Sequence, residues 1–258
     1  MQQARSSFLS GIPNVCKNIL IINLIVWLAQ MVLIQKGIDL SDYLGLYYFE
    51  SPNFRVYQFV TYMFLHDPSS FGHVFFNMFA VFMFGRLLEQ IWGPKRFLTY
   101  YFITGVGAAI IQMLVIGLRI YSVKSGLAAD AISDVIAQGG QLLDQNMNYI
   151  DGAKGALNIL LNTGTIGASG AVFGILLAFG MLFPNIPLYI IPFPFPIKAK
   201  WLVIGYGAIE LLLGVVNSAG DNVAHFAHLG GMIFGIFMIL YWKKKDKRKI
   251  TNHVEYFR

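Results

Sequence analysis

The stretch GASGAVFGILLAFGMLF, residues 167–183, begins with small residues around a single hydroxyl and continues as an almost uninterrupted apolar run. A helix that crosses a bilayer needs roughly 20 mostly apolar residues, so this stretch is typical of a membrane span. Two explanations for Ser169 stay open at this point. Small residues let helices approach closely in lipid, or Ser169 is a nucleophile at the mouth of the span.

The composition of the whole chain also indicates a membrane protein. Of 258 residues, 56% are hydrophobic and 12% are charged, whereas soluble domains carry about 25% charged residues. The apolar stretches that predict spans are about 18–35, 71–92, 97–118, 166–183, 201–217 and 223–242. We therefore expect an all-α polytopic membrane protein with six transmembrane helices. A single cysteine, Cys16, excludes an internal disulfide, and we expect no metal and no cofactor.

Positive charges concentrate on one side of the predicted spans. The tail reads KKKDKRK at 243–249, and the short connections after the second and fourth spans also carry lysine or arginine. The positive-inside rule therefore predicts that both termini are cytoplasmic. The expected organisation is a cytoplasmic segment 1–17, a membrane domain 18–242 and a basic tail 243–258. Beside a span, such a tail indicates orientation and contact with anionic lipid, and we expect no nucleic acid partner.

Two segments of the membrane domain lie outside the spans. The first loop, 37–70, is rich in aromatic residues, which favour the bilayer interface. The segment 119–164 is more polar and is expected on the outer side as an insertion. Within it, GLAADAISDVIAQGGQLLDQ (126–145) has Leu127, Ile132, Val135 and Ile136 near helical spacing. This pattern predicts an amphipathic surface helix followed by a loop.

Polar groups inside the spans cluster at one depth. Ionisable side chains within a membrane are costly and suggest function. The polar side chains within the predicted spans are His73 and Asn77 in the second span, Ser169 in the fourth, and His225 and His228 in the sixth. Each lies within about two turns of the expected outer end of its span. Three separate stretches thus place a hydroxyl, imidazoles and an amide at a common level.

Small residues also predict which helix faces meet. Gly170 and Gly174 form one GxxxG pair in the fourth span, and Gly231 and Gly235 form another in the sixth. If these faces pack together, Ser169 approaches His228, and a base within hydrogen-bond reach activates a hydroxyl nucleophile. Counted along the fifth span, Glu210 lies too deep to join them, so we expect a dyad and assign Glu210 to a structural polar contact.

These motifs together resemble the rhomboid family of intramembrane serine proteases. The matching residues are GASG (167–170), AHLGGMIFG (227–235) and HVFFN (73–77), and the likeness covers about residues 40–242. The resemblance implies a six-helix rhomboid-like bundle with Ser169 as nucleophile and His228 as general base. It implies that His73 and Asn77 stabilise the oxyanion, and that Phe173 packs on the catalytic imidazole. One departure is Tyr57-Gln58, where the family often has Trp-Arg, which puts the anchoring of the first loop in question.

We further expect that the substrates are transmembrane segments of other proteins and that the chain resides in a bacterial plasma (inner) membrane. The oligomeric state and the contribution of His225 stay open. Two other functions are weighed. An inactive rhomboid-like protein that binds membrane clients would normally lack the serine or the histidine. A small transporter with a histidine proton relay should show paired half-repeats, and we find no such duplication.

Overall fold

The protein, as a computed structural model, is built almost entirely of helices. The structure describes residues 11–189, 195–216 and 224–255, with side chains as far as residue 246. In chain order the helices are α1 (Asn14–Ile34), α2 (Ser41–Leu44), α3 (Gln58–Thr61), α4 (Phe71–Ala80), α5 (Arg86–Trp92), α6 (Pro94–Lys124), α7 (Ala129–Asp144), α8 (Gly152–Asn162), α9 (Ser169–Leu182), α10 (Ala199–Val216) and α11 (His225–Glu255). Two short antiparallel strands, β1 (Pro187–Leu188) and β2 (Ile197–Lys198), precede α10.

Within these described residues, five helical segments are long and apolar enough to cross a membrane. They are α1, the continuous stretch Phe71–Trp92, α6, α10 and the part of α11 at His225–Asp246. The stretch Phe71–Trp92 joins α4 to α5 through a π-helical turn at Val81–Gly85. The predicted all-α polytopic fold is confirmed.

The predicted fourth span is shorter than expected. Helix α9 has 14 residues, a length of about 21 Å, against about 30 Å for the hydrocarbon core. It begins at Ser169 rather than at residue 166 because Gly167 has a φ of 128°, a conformation outside a right-handed helix. The count of six spans and the cytoplasmic placement of the termini stay predictions. The predicted span ends at 217 and 223 lie outside the described residues.

The segment 119–164 differs from its prediction in two ways. Helix α6 continues through residue 118 to Lys124, so the non-spanning segment begins later. The amphipathic helix is present as α7, with Val135 buried but Ile136 43% exposed. The expected loop after it is wrong in part, because 152–162 form α8, whose start is capped by Asp151 accepting from the Lys154 N–H at 2.8 Å. Lys154 also pairs with Asp134 of α7.

The tail beyond residue 243 is helical through Glu255 as a continuation of α11. Lysine and arginine have high helix propensity, and the KKKDKRK run contains no residue that ends a helix. The predicted boundary at 242 therefore marks a change of composition and not the end of the helix.

The first loop is anchored by Gln58 in place of the expected arginine. Its side chain is fully buried, and its Oε1 accepts from the N–H groups of Tyr47 and Arg55. Its Nε2 donates to the carbonyls of Tyr43 and Asn53. One amide thus satisfies four backbone groups, which answers the question that the Tyr57-Gln58 pair raised.

Helix α9 packs between α6 and α11 at very short range. A Cβ on Gly231 would lie 1.8 Å from the carbonyl oxygen of Gly170, and a Cβ on Gly170 would lie 2.5 Å from the Cβ of Ala108. The predicted contact of the two GxxxG faces therefore holds at Gly170 and Gly231. The second glycines do not meet each other, since Gly174 faces Thr104 of α6, whereas Gly235 faces the Tyr100 hydroxyl and Leu177 of α9.

Candidate active site

The predicted site residues lie near the starts of three helices. Ser169 is the first residue of α9, His73 is in the first turn of α4, and His225 and His228 are in the first turn of α11. The Ser70 side chain caps α4 by accepting from the His73 N–H at 3.4 Å. Each helix start thus carries a polar side chain into one region of the bundle.

Ser169 and His228 form a hydrogen bond. The serine Oγ lies 2.8 Å from the Nε2 of His228, which is within the range that activates a hydroxyl nucleophile. Phe173, one turn after Ser169, stacks on the imidazole with ring centroids 4.2 Å apart and planes 6° apart. The predicted packing of Phe173 on this ring is confirmed. The stacked ring restricts rotation of the imidazole out of its plane.

The other ring nitrogen of His228 meets a carboxylate. Its Nδ1 lies 2.8 Å from the Oε2 of Glu210, and the same oxygen lies 2.6 Å from the Nδ1 of His225. The contact with His225 is a hydrogen bond. The contact with His228 has the distance of an ion pair, but the oxygen is off the direction of the ring N–H.

The prediction that Glu210 lies too deep to reach the histidines is wrong. Glu210 is six residues from the end of α10 at Val216, about 9 Å along the axis. His228 is itself about 4.5 Å into α11, so a glutamate side chain spans the remaining difference. Sequence position along one helix did not account for this reach, nor for the close packing at Gly214, where a Cβ would lie 3.2 Å from the His225 Cβ.

Glu210, His225 and His228 also have the composition of a metal site. Their donor atoms all lie within 4.8 Å of one another. However, two ligands on one tetrahedral zinc ion lie about 3.3 Å apart, whereas Glu210 Oε2 is 2.6 Å and 2.8 Å from the two imidazoles. These distances favour a group held by hydrogen bonding and charge.

His73 lies beside Ser169 across Gly167. A Cβ on Gly167 would lie 3.1 Å from the His73 Nε2 and 3.5 Å from the Ser169 Oγ. The His73 Nδ1 accepts from the Asp67 N–H at 3.4 Å, and in a neutral imidazole the other nitrogen then carries the proton. His73 therefore presents an N–H donor next to the serine.

The Asn77 amide makes a hydrogen bond within its own helix. Its Nδ2 donates to the His73 carbonyl, one turn back in α4, at 2.9 Å. This bond uses one N–H of the amide and leaves its second N–H for another acceptor. The structure therefore brings Ser169, His228 and His73 together and holds Asn77 beside them through its own helix.

His66, in the connection before α4, is a further residue of the site that no sequence motif indicated. It is fully buried, its ring lies edge-on to that of His73 at 5.0 Å, and neither ring nitrogen makes a well-formed hydrogen bond to the described residues. Burial, with a smaller contribution from His73, lowers the pKa of His66 from 6.5 to about 3. The side chain is therefore a neutral support for His73, and its only sequence signal is a histidine shortly before an intramembrane histidine.

Comparisons with known proteins bear on the family of the chain. The family model described as Rhomboid domain matches residues 53–245. Rhomboid-like protein 11, chloroplastic, from Arabidopsis thaliana is 27% identical over 258 residues, which covers 92% of this chain and 68% of that protein. The matched region includes every residue of the site described above.

Proposed function

The chain belongs to the rhomboid family and is a multi-pass membrane protein, and on this premise we propose that it is an intramembrane serine endopeptidase. The observation that carries the proposal is the 2.8 Å hydrogen bond between Ser169 Oγ and His228 Nε2. Family membership alone does not require such a pair. A stacked Phe173 and a donor on His73 surround it, which is the set of groups that acyl transfer uses.

In the proposed reaction, Ser169 Oγ attacks the carbonyl carbon of a peptide bond while His228 Nε2 takes its proton. The resulting oxyanion accepts from the His73 Nε2–H, the Asn77 amide and the Ser169 N–H at the start of α9. His228 then gives the proton to the leaving amine as the C–N bond breaks. Water, with His228 again as base, hydrolyses the acyl-enzyme and restores the serine.

The substrate that fits this site is a transmembrane segment of another membrane protein. The polar groups lie near helix starts, so water reaches them from one membrane face and the substrate enters from the lipid. A helix keeps its carbonyls in internal hydrogen bonds. We therefore expect cleavage at segments with glycine, proline or small polar residues, which unwind readily.

The main alternative is a rhomboid-like protein that binds membrane clients without cleaving them. The name of the Arabidopsis relative, rhomboid-like, is compatible with either function. An aligned serine and base supports the protease, because client binding has no need of a hydrogen-bonded Ser–His pair. A histidine-relay transporter has no comparable support. The membrane that we propose is a bacterial inner membrane, which cell fractionation tests.

The deciding experiment uses the full chain in proteoliposomes with a fluorophosphonate probe and a model transmembrane substrate. Wild type should be labelled at Ser169 and should cleave, and Ser169→Ala and His228→Ala should do neither. His225→Ala is the matched histidine control and should keep substantial activity, since the hydrogen bond to Ser169 is made by His228. A folded wild type that neither reacts nor cleaves would refute the protease and favour client binding.

A further inference from the structure

We propose that Glu210 is a positioning residue for His228, so that the site works as Ser169–His228–Glu210 and not as a dyad. This inference rests on the proposed function. Glu210 lies on α10, a helix that carries none of the motifs by which the chain resembles its family. It touches neither Ser169 nor the place of the reacting carbonyl, and it acts through the imidazole.

The carboxylate completes a three-sided holder for the His228 ring. The Ser169 Oγ lies 2.8 Å from Nε2, and the Glu210 Oε2 lies 2.8 Å from Nδ1. The Phe173 ring covers one face of the imidazole, with ring centroids 4.2 Å apart. The two nitrogens lie on opposite edges of the ring. A carboxylate at Nδ1 therefore favours the tautomer with its proton there, which leaves Nε2 unprotonated as the base for the Ser169 hydroxyl.

The same contact stabilises the charge that develops during reaction. When Ser169 gives its proton to Nε2, His228 becomes an imidazolium with both nitrogens protonated. The Nδ1 proton stays in place, and Glu210 stays ionised. Attraction between the two charges depends on distance more than on angle. The off-direction approach at Nδ1 is therefore compatible with this role, particularly since the side chains of His228 and Glu210 are only 9% and 11% exposed.

The carboxylate is itself held in position. His225 contacts the same oxygen at 2.6 Å, and α10 approaches α11 closely because Gly214 has no side chain. A Cβ there would lie 2.9 Å from the Phe226 ring. Arg119 of α6 also donates to the Gly214 carbonyl at 3.3 Å. His225 thus supports Glu210 in its contact with His228.

A carboxylate within a membrane-spanning helix costs free energy on insertion, so its presence there indicates a function. If Glu210 served only to join α10 to α11, its hydrogen bond to His225 would suffice. The second contact is to the nitrogen opposite the serine, where a carboxylate acts on the tautomer and charge of His228 as well as on packing. This distinction makes the two roles separable by experiment.

The test measures turnover and tautomer in the full chain. Glu210→Gln keeps the volume but removes the charge, and its amide can donate to Nδ1 and favour the wrong tautomer. We expect kcat to fall by about 10²–10⁴ with KM little changed, while Glu210→Asp recovers part of kcat. Gly205→Ala, on the same helix, is the matched control, because a Cβ there would meet nothing within 4 Å, and its kcat should be that of wild type.

Nitrogen-15 NMR of histidine-labelled protein in bilayers gives a readout that a structural role does not move. The His228 signal, assigned by its loss in His228→Ala, should show the proton on Nδ1 in wild type and a shift toward Nε2 in Glu210→Gln. A folded Glu210→Gln with kcat within about threefold of wild type overturns the inference. A wild-type His228 protonated on Nε2 also overturns the inference, and this result does not require the variant to fold. A wild type without activity refutes the proposed function instead.

Discussion

Replacing Gly231 by alanine should separate the catalytic pair. A Cβ there would lie 1.8 Å from the Gly170 carbonyl oxygen, and a carbon atom needs about 3.4 Å from such a neighbour. The oxygen belongs to the backbone of α9, so no side chain can rotate away. Helices α9 and α11 must therefore move apart by about 1.5 Å. The Ser169–His228 bond joins these same two helices three residues earlier in α11 and would open from 2.8 Å to a distance beyond hydrogen bonding.

A misplacement of about 1 Å lowers turnover by roughly 10²-fold, and overpacking costs about 1–3 kcal/mol of stability. The assay is kcat on a transmembrane substrate in proteoliposomes, with a thermal unfolding curve for each variant. Gly205→Ala is the matched control, because a Cβ on Gly205 of α10 would meet nothing within 4 Å. It should behave as wild type. If Gly231→Ala kept wild-type kcat and melting temperature, the close contact of α9 and α11 and the reasoning built on it would be refuted.

Three further predictions concern topology, the oxyanion and pH. Reporter fusions after Lys249 should read cytoplasmic and fusions within 125–155 exoplasmic, and the reverse pattern would overturn the orientation. Asn77→Ala should lower kcat by roughly 10²–10³ if its amide is a main donor to the oxyanion. Its melting temperature should stay unchanged because the Asn77 hydrogen bond lies within α4. Lower stability with normal turnover would make Asn77 a structural residue only. Acidification from about pH 7.5 to about pH 5 should destabilise the fold by about 2 kcal/mol through His66. The pKa of His66 in the folded chain is about 3, so over this pH range only the unfolded chain takes up the proton. The loss of thermal stability on acidification should therefore be smaller in His66→Leu. An equal loss of stability in wild type and variant would contradict this prediction.

Much of this architecture can be read from local pattern. Apolar run length predicts the spanning helices, because a bilayer demands about 20 such residues whatever their neighbours. The approach of Ser169 to His228 was predictable because small residues at Gly170 and Gly231 permit a close helix contact. Amphipathic spacing likewise predicts α7.

Features that depend on the tertiary structure could not be predicted from local sequence pattern. The 14-residue length of α9 follows from the φ of Gly167, and the anchoring of the first loop follows from four backbone groups that converge on Gln58. Neither has a periodic signal in the sequence.

Glu210 illustrates the division most clearly. Its sequence position indicates a carboxylate midway along a span. Nothing in the neighbouring residues shows whether this carboxylate makes a structural contact or pairs with His228. Only the approach of α10 to α11 at Gly214 and the reach of the side chain place Glu210 Oε2 2.8 Å from the imidazole. Burial in lipid selects which residues form helices, a local property that composition determines. Which side chains then meet depends on interhelical distances of a few ångströms, and those are set by packing across the whole bundle.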